Sequence, residues 1–153
     1  MRRSAAMRGA YRGREAAGGQ AAALVAAARR ARRRAYAPYS RYPVGAAVLA
    51  ADGTVFSGAN VENASYGLAV CAERVAIFTA AAAGRRRLRA VAVVTGSPEP
   101  AAPCGACRQV MAEFGVQTVY LAGPRGPYRE WPLSDLLPDA FTAKALLPKP
   151  PSR

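Results

Sequence analysis

Residues 71–122 read CAERVAIFTAAAAGRRRLRAVAVVTGSPEPAAPCGACRQVMAEFGVQTVYLA, with helix-like and strand-like segments in alternation. Cys71–Ala83 is mostly apolar and stops at Gly84, which predicts a buried helix. Leu88–Thr95 reads as a strand, and Gly96–Pro103 as a loop rich in proline and small residues. Cys104–Phe114 reads as a second buried helix, with Cys107, Val110, Met111 and Phe114 on one face and Gly115 as its stop. Val116–Ala122 is the next strand.

Working outward, Val44–Ala50 and Thr54–Val61 flank a turn at Asp52-Gly53, which is a hairpin signal. Before it, Gln20–Tyr36 predicts a helix. Leu24, Ala28, Ala31 and Ala35 form a narrow stripe, and Arg29, Arg30, Arg33 and Arg34 a solvated opposite face. Ala37–Ser40 and Pro43 end it. Downstream, Gly123–Pro127 turns, Tyr128–Pro132 reads as a short edge strand, and Leu133–Leu137 as a brief helix. The order α-β-β-α-β-α-β predicts an α/β fold, a three-layer α-β-α sandwich on a mixed sheet of about five strands. Residues 19–143 are expected to form one domain, between a disordered basic extension at 1–18 and a C-terminal tail at 144–153. Met7 is an alternative start, and there is no internal repeat.

The net charge of +13 resembles a nucleic-acid signal, but its location weakens that reading. Residues 1–35 hold ten arginines against one acid, a net +9, leaving +4 for the rest of the chain. No apolar run approaches the roughly 18 residues of a membrane span, and the N-terminus lacks the apolar stretch of a secretory signal. The expectation is a soluble, cytoplasmic protein with no membrane partner and no nucleic-acid partner. Histidine is absent from all 153 residues, which excludes Ser-His-Asp and Cys-His catalysis and every His-ligated metal site. Acid–base chemistry must then use a carboxylate, lysine, tyrosine, cysteine or metal-bound water.

Cys104 and Cys107 lie three apart in the first turn of a predicted helix, so their sulfurs face one way, and Cys71 begins its own helix. If the two helices pack side by side, three sulfurs meet at one point. Helix N-termini favour thiolates. Three thiolates around Zn²⁺ leave a net charge of −1, which Arg74, three residues after Cys71, and Arg108, directly after Cys107, are placed to offset. With no histidine and no fourth cysteine, three protein ligands leave a tetrahedral position open, the mark of a catalytic zinc. A base must then stand nearby without binding the metal, and Glu73 is the obvious carboxylate. On its own, a glutamate near a helix start would be read as complementing the helix dipole.

Cys-x-Glu, 32 residues after Cys71, then Pro-Cys-x-x-Cys, resembles the signature of the zinc nucleoside deaminases. The CGACRQ continuation and three-cysteine set resemble the small cytidine deaminases. AYAPYSRYPVGAAVL, SGANVENASYG and LLPDAF extend the resemblance from about Ala21 to Phe141. It implies a cytidine deaminase-like fold, one zinc per subunit and a homotetramer. The implied reaction is hydrolytic deamination of cytidine and 2′-deoxycytidine to uridine and 2′-deoxyuridine with release of ammonia, in pyrimidine salvage. It further implies that Asn60 and Glu62 bind the ribose hydroxyls. Tyr42, where the family often has phenylalanine, would pack on the pyrimidine. The N–H of Ala72 and the carbonyl of Cys104 would meet the base edge. Phe141 would close the nucleoside pocket across a subunit boundary, and Tyr66 would build the interface. Without the resemblance, Asn60 and Glu62 read equally well as turn residues, Tyr42 as core and Phe141 as tail packing. The rival functions are a deaminase of another cytosine-bearing molecule such as blasticidin S, a polynucleotide deaminase, and a non-catalytic zinc-binding module. A thioredoxin-like CxxC protein would leave Cys71 and Glu73 unexplained.

Overall fold

The 71–122 stretch folds as read: α2 (Ala72–Ala82), β4 (Leu88–Val94), α3 (Gly105–Glu113) and β5 (Thr118–Ala122) follow one another in a computed structural model. That structure describes residues 18–146 and the two-residue strand β1 (Arg14–Glu15). Before the stretch come α1 (Gly19–Arg32) and a hairpin of β2 (Gly45–Ala50) and β3 (Val55–Ala59). After it come β6 (Tyr128–Pro132) and the short α4 (Leu133–Leu136). The sheet order is β1-β6-β5-β4-β2-β3. Among these pairs β4 and β5 run parallel and the others antiparallel, so the sheet is mixed. A parallel pair needs a crossover, and the 95–117 segment with α3 supplies it.

All six residues of β2 are buried, and their alternation divides the core into two layers. Ala46, Val48 and Ala50 pack with Ala76, Ile77 and Met111 from α2 and α3. Ala47 and Leu49 pack with Leu24, Val25 and Ala28 of α1 on the other face. The arrangement is the expected three-layer α-β-α sandwich, with five full strands and β1 as a short added edge.

Two glycines set how closely the helices approach the sheet. A Cβ on Gly45 would collide with the backbone of α1 at Ala28 O and Arg32 N. One on Gly58 would stand 2.5 Å from Ala76 N and 2.9 Å from Ala72 O. Gly58 therefore lets the first turns of α2 lie directly on β3.

The first helix ends at Arg32, earlier than the expected Tyr36. Arg34 and Ala35 donate to Ala31 O and Arg32 O in a tightened last turn. Tyr36 is then taken by the 60–62 segment, donating to Asn60 O at 2.9 Å while its carbonyl accepts from Glu62 N at 2.9 Å. Arg29 also departs from a purely solvated role. Its guanidinium donates to Gly126 O at 2.6 Å and Gly123 O at 3.3 Å, tying α1 to the β5–β6 turn.

The extension expected at 1–18 lies outside the described residues except for Gly18 and Arg14–Glu15, which pairs with Arg129 and Glu130 of β6. Of the expected tail, residues 147–153 also lie outside them. No described helix is long and apolar enough to cross a membrane.

Gly45→Ala is expected to destabilise the protein by about 1–3 kcal/mol, because the clash is with backbone that cannot yield. Thermal melting checks this: a Tm lower by several degrees is the expected outcome, and an unchanged Tm would contradict so tight an α1–β2 contact.

Candidate active site

Cys71 and Cys104 are the N-cap residues of α2 and α3, both in extended conformation and neither spending its side chain on a cap hydrogen bond. Each sulfur is thus free to leave its helix axis, while the first-turn amides give its surroundings partial positive charge. Cys107 sits one turn into α3 and is fully buried. The three Sγ atoms all lie within 4.8 Å of one another, with Cys71 and Cys104 4.0 Å apart.

The cluster is electrostatically uneven. A hydrogen bond from Cys107 is the main cause that lowers the Cys71 thiol to about 5, helped by Arg74, whose guanidinium reaches Cys71 Sγ at 3.6 Å. Cys107 moves the opposite way, raised by that same bond with Cys71 and by burial. The pair therefore favours one thiolate, stabilised by the shared hydrogen bond and by Arg74. Arg108 is spent elsewhere. It donates to Pro103 O and to Leu136 O, both at 2.7 Å, and so braces the loop before Cys104 against α4. Of the two arginines expected to balance the cluster, Arg74 is the one in contact with a sulfur.

Glu73 lies on the first turn of α2 and is 4% exposed. Burial raises its carboxyl to about 6, partly offset by its own backbone N–H, and the nearby Cys71 charge raises it further. A carboxyl so placed can take or give a proton near neutrality.

Cys71, Cys104 and Glu73 line a cleft of about 460 Å³ that also reaches Ser40, Tyr42, Asn60 and Glu62. That volume suits a small molecule of nucleoside size. Asn60 and Glu62 flank Val61, which bridges to Tyr36 on one side and Val70 on the other. Period two places both polar side chains together. Glu62 accepts from Tyr39 N at 2.9 Å, from Ser40 N at 3.2 Å and from the Ser40 hydroxyl. The Ser40 hydroxyl is the main cause that lowers its carboxyl below the usual range. The Asn60 amide accepts from Val44 N at 2.8 Å and donates to Tyr42 O at 3.0 Å, so it fixes the backbone on either side of Pro43. Turn chemistry and cleft lining therefore coexist in this pair. Arg41 adopts a φ of 54°, a left-handed conformation, just where the chain turns from Ser40 into Tyr42.

Ala72 is buried at the cleft wall, and Cys104 O accepts from Arg108 N at 3.0 Å within α3. Phe141 and Tyr66 are not brought to the cleft. Phe141 is 59% exposed, its carbonyl held by Gln109 Nε2 at 2.7 Å. Tyr66 is 76% exposed and packs edge-on against Tyr39 at 5.9 Å between ring centroids. Sequence reasoning missed two polar cleft residues. Ser40 gave no signal, since its partner Glu62 is 22 residues away. Thr95 could have been found by parity, because it continues the inward positions of Val91 and Val93 one residue beyond β4.

The sulfur cluster fits zinc on its own geometry. Three thiolates at a zinc–sulfur distance of about 2.3 Å stand about 3.8 Å apart in a tetrahedron. The Cys71–Cys104 separation is already 4.0 Å, and Arg74 supplies a compensating charge.

The family model for the cytidine and deoxycytidylate deaminase zinc-binding region matches residues 19–123. A cytidine deaminase of Halalkalibacterium halodurans is 54% identical over 123 residues, covering 79% of this chain and 93% of that protein. One from Mycobacterium tuberculosis is 50% identical over 107 residues, covering 70% and 78%. The crystal structure of cytidine deaminase from Burkholderia pseudomallei superposes with a TM-score of 0.75 at 56% identity, covering 78% of this chain and 98% of that one. Three clustered sulfurs, a buried glutamate beside them and these likenesses agree: the chain belongs to the cytidine and deoxycytidylate deaminase family.

Proposed function

We propose that this protein hydrolyses cytidine and 2′-deoxycytidine to uridine and 2′-deoxyuridine, releasing ammonia, as a step of pyrimidine salvage. The observation that carries the reading is a cleft that holds buried Glu73, Asn60, Glu62 and two cysteines, Cys71 and Cys104, whose sulfurs converge with that of Cys107. Cys71, Cys104 and Cys107 would hold one zinc per subunit. When bound there, the metal supplies a water whose pKa falls from about 15.7 to about 7.

Glu73 takes a proton from the attacking water as its oxygen adds to C4 of the cytosine ring, and passes a proton to N3. The proton left on the new C4 oxygen is transferred to the amine, the C4–N bond breaks, and ammonia departs to leave the uracil carbonyl. A carboxyl near 6 suits both directions of transfer. Glu62, kept ionised and aimed by Ser40 and Tyr39, accepts from the ribose hydroxyls, and Asn60 completes that contact. Tyr42 flanks the base, and the Ala72 N–H and Cys104 carbonyl meet its edge. Arg74 steadies the negative charge on the sulfurs.

The protein is further proposed to act as a homotetramer in the cytoplasm. Tyr36, Val61, Tyr66 and Leu68 are all exposed by more than 45%, an apolar surface of the kind subunits cover. Within such an assembly Tyr66 lies at the interface and Phe141 reaches a neighbour's pocket. Three free thiols suit a reducing compartment.

Glu73→Gln is expected to keep its zinc and to lower kcat by at least about 10²–10⁴-fold, read by steady-state assay beside elemental analysis. Retained deamination would overturn the role of Glu73. Replacing Cys71, Cys104 or Cys107 singly with serine is expected to lose zinc and activity together, and unchanged zinc content would contradict the ligand set. Sedimentation equilibrium is expected to give four times the 16.0 kDa chain mass, and a monomer would remove the shared pocket.

A further inference from the structure

Thr95 lines the cleft, one residue beyond β4. It is 3% exposed, and its backbone N–H is used, donating to Ala122 O at 3.2 Å. Its hydroxyl is not: Oγ1 is buried and has no hydrogen-bond partner among the described residues. Valine would fill this position with nearly the same shape, and Val91 and Val93 do so at the two preceding inward positions. An unpaired buried hydroxyl costs stability that valine would not. Among the described side chains, a buried polar atom without a partner occurs at one other place, Arg74 Nε, beside the sulfur cluster. Both orphans belong to the same end of the molecule.

We infer that Thr95 is a specificity-determining residue whose hydroxyl donates to the ring carbonyl oxygen, O2, of the bound pyrimidine. The inference rests on the nucleoside reading of the cleft. The sugar is directed toward Asn60 and Glu62, and the amine-bearing carbon toward Glu73 and the cysteines. N3 is served by Glu73. The remaining polar atom of the base is O2, which needs donors, and its two lone pairs can take the Ala72 N–H together with a hydroxyl. A threonine χ1 turn exchanges Oγ1 with Cγ2, so the covered hydroxyl can be brought to the cleft without moving the strand. Substrate binding then satisfies a group that the free fold leaves unpaired. A pocket built with such a donor rejects rings that lack the carbonyl.

The test compares wild type with Thr95→Val, Thr95→Ala and Thr95→Ser, measuring kcat and KM for cytidine, Ki for uridine, zinc content and Tm. Uridine keeps O2 and lacks the amine. Thr95→Val is expected to raise the cytidine KM and the uridine Ki together by roughly tenfold, with kcat within about twofold and zinc unchanged. Thr95→Ala should show the same pair of shifts, and Thr95→Ser should restore both toward wild type. The Tm of Thr95→Val is expected to equal or exceed that of wild type, since a group without a partner has been removed. Unchanged KM, a shift for cytidine without one for uridine, a loss confined to kcat, or a Tm lower by several degrees would each overturn the assignment. If wild type itself fails to deaminate cytidine, the functional reading falls first and takes this inference with it.

Discussion

Everything in this molecule depends on two helix N-termini meeting over one end of a sheet. β4 and β5 are parallel, so the chain must cross back over the sheet between them, and α3 makes that crossing on the face already occupied by α2. Each helix begins with a cysteine at its N-cap. The fold thus brings together sulfurs 33 residues apart in sequence, in a place where unpaired amides already favour negative charge. Gly58 gives the geometry its fineness, since any side chain there would lift the start of α2 from β3.

The same meeting point separates the roles of its charged groups by environment. Cys71 accepts from Cys107 and is touched by Arg74, and together these outweigh its partial burial, so its proton leaves readily. Glu73 is two residues on and shut away from water, so its proton is held more tightly than on an ordinary glutamate. Glu62 at the far side of the cleft has the opposite fate, its charge kept by three donors from Tyr39 and Ser40. Two carboxyls in one cleft are thereby tuned apart, one to move protons and one to accept hydrogen bonds without moving them.

Much of this was legible in the sequence. The alternation of 71–122, the stops at Gly84 and Gly115 and the Asp52-Gly53 turn located the elements to within a few residues, because their signals are local. The Cys-x-Glu and Pro-Cys-x-x-Cys motifs marked the three cysteines and Glu73 locally, and the packing of α2 beside α3 brings Cys71 to Cys104. What escaped was set by partners distant in sequence. The 60–62 segment draws Tyr36 out of the first helix, Arg29 crosses to the 123–126 turn, and Arg108 reaches Leu136 where a contact with the cysteines was expected. Ser40 takes its meaning from Glu62. The arginines are instructive as a group. Arg29, Arg32, Arg89 and Arg108 donate to carbonyls elsewhere in the fold, so part of a charge that resembles a polyanion-binding signal serves as internal bracing.

The central claim is that one metal held by Cys71, Cys104 and Cys107 works with Glu73 on a cytosine ring. The most direct measurement follows the ultraviolet absorbance of cytidine with purified protein, before chelation, after chelation, and after zinc is returned. The account predicts steady conversion to uridine with matching release of ammonia, arrest on chelation, and recovery with zinc. Conversion that continues in protein shown to be free of metal would contradict it.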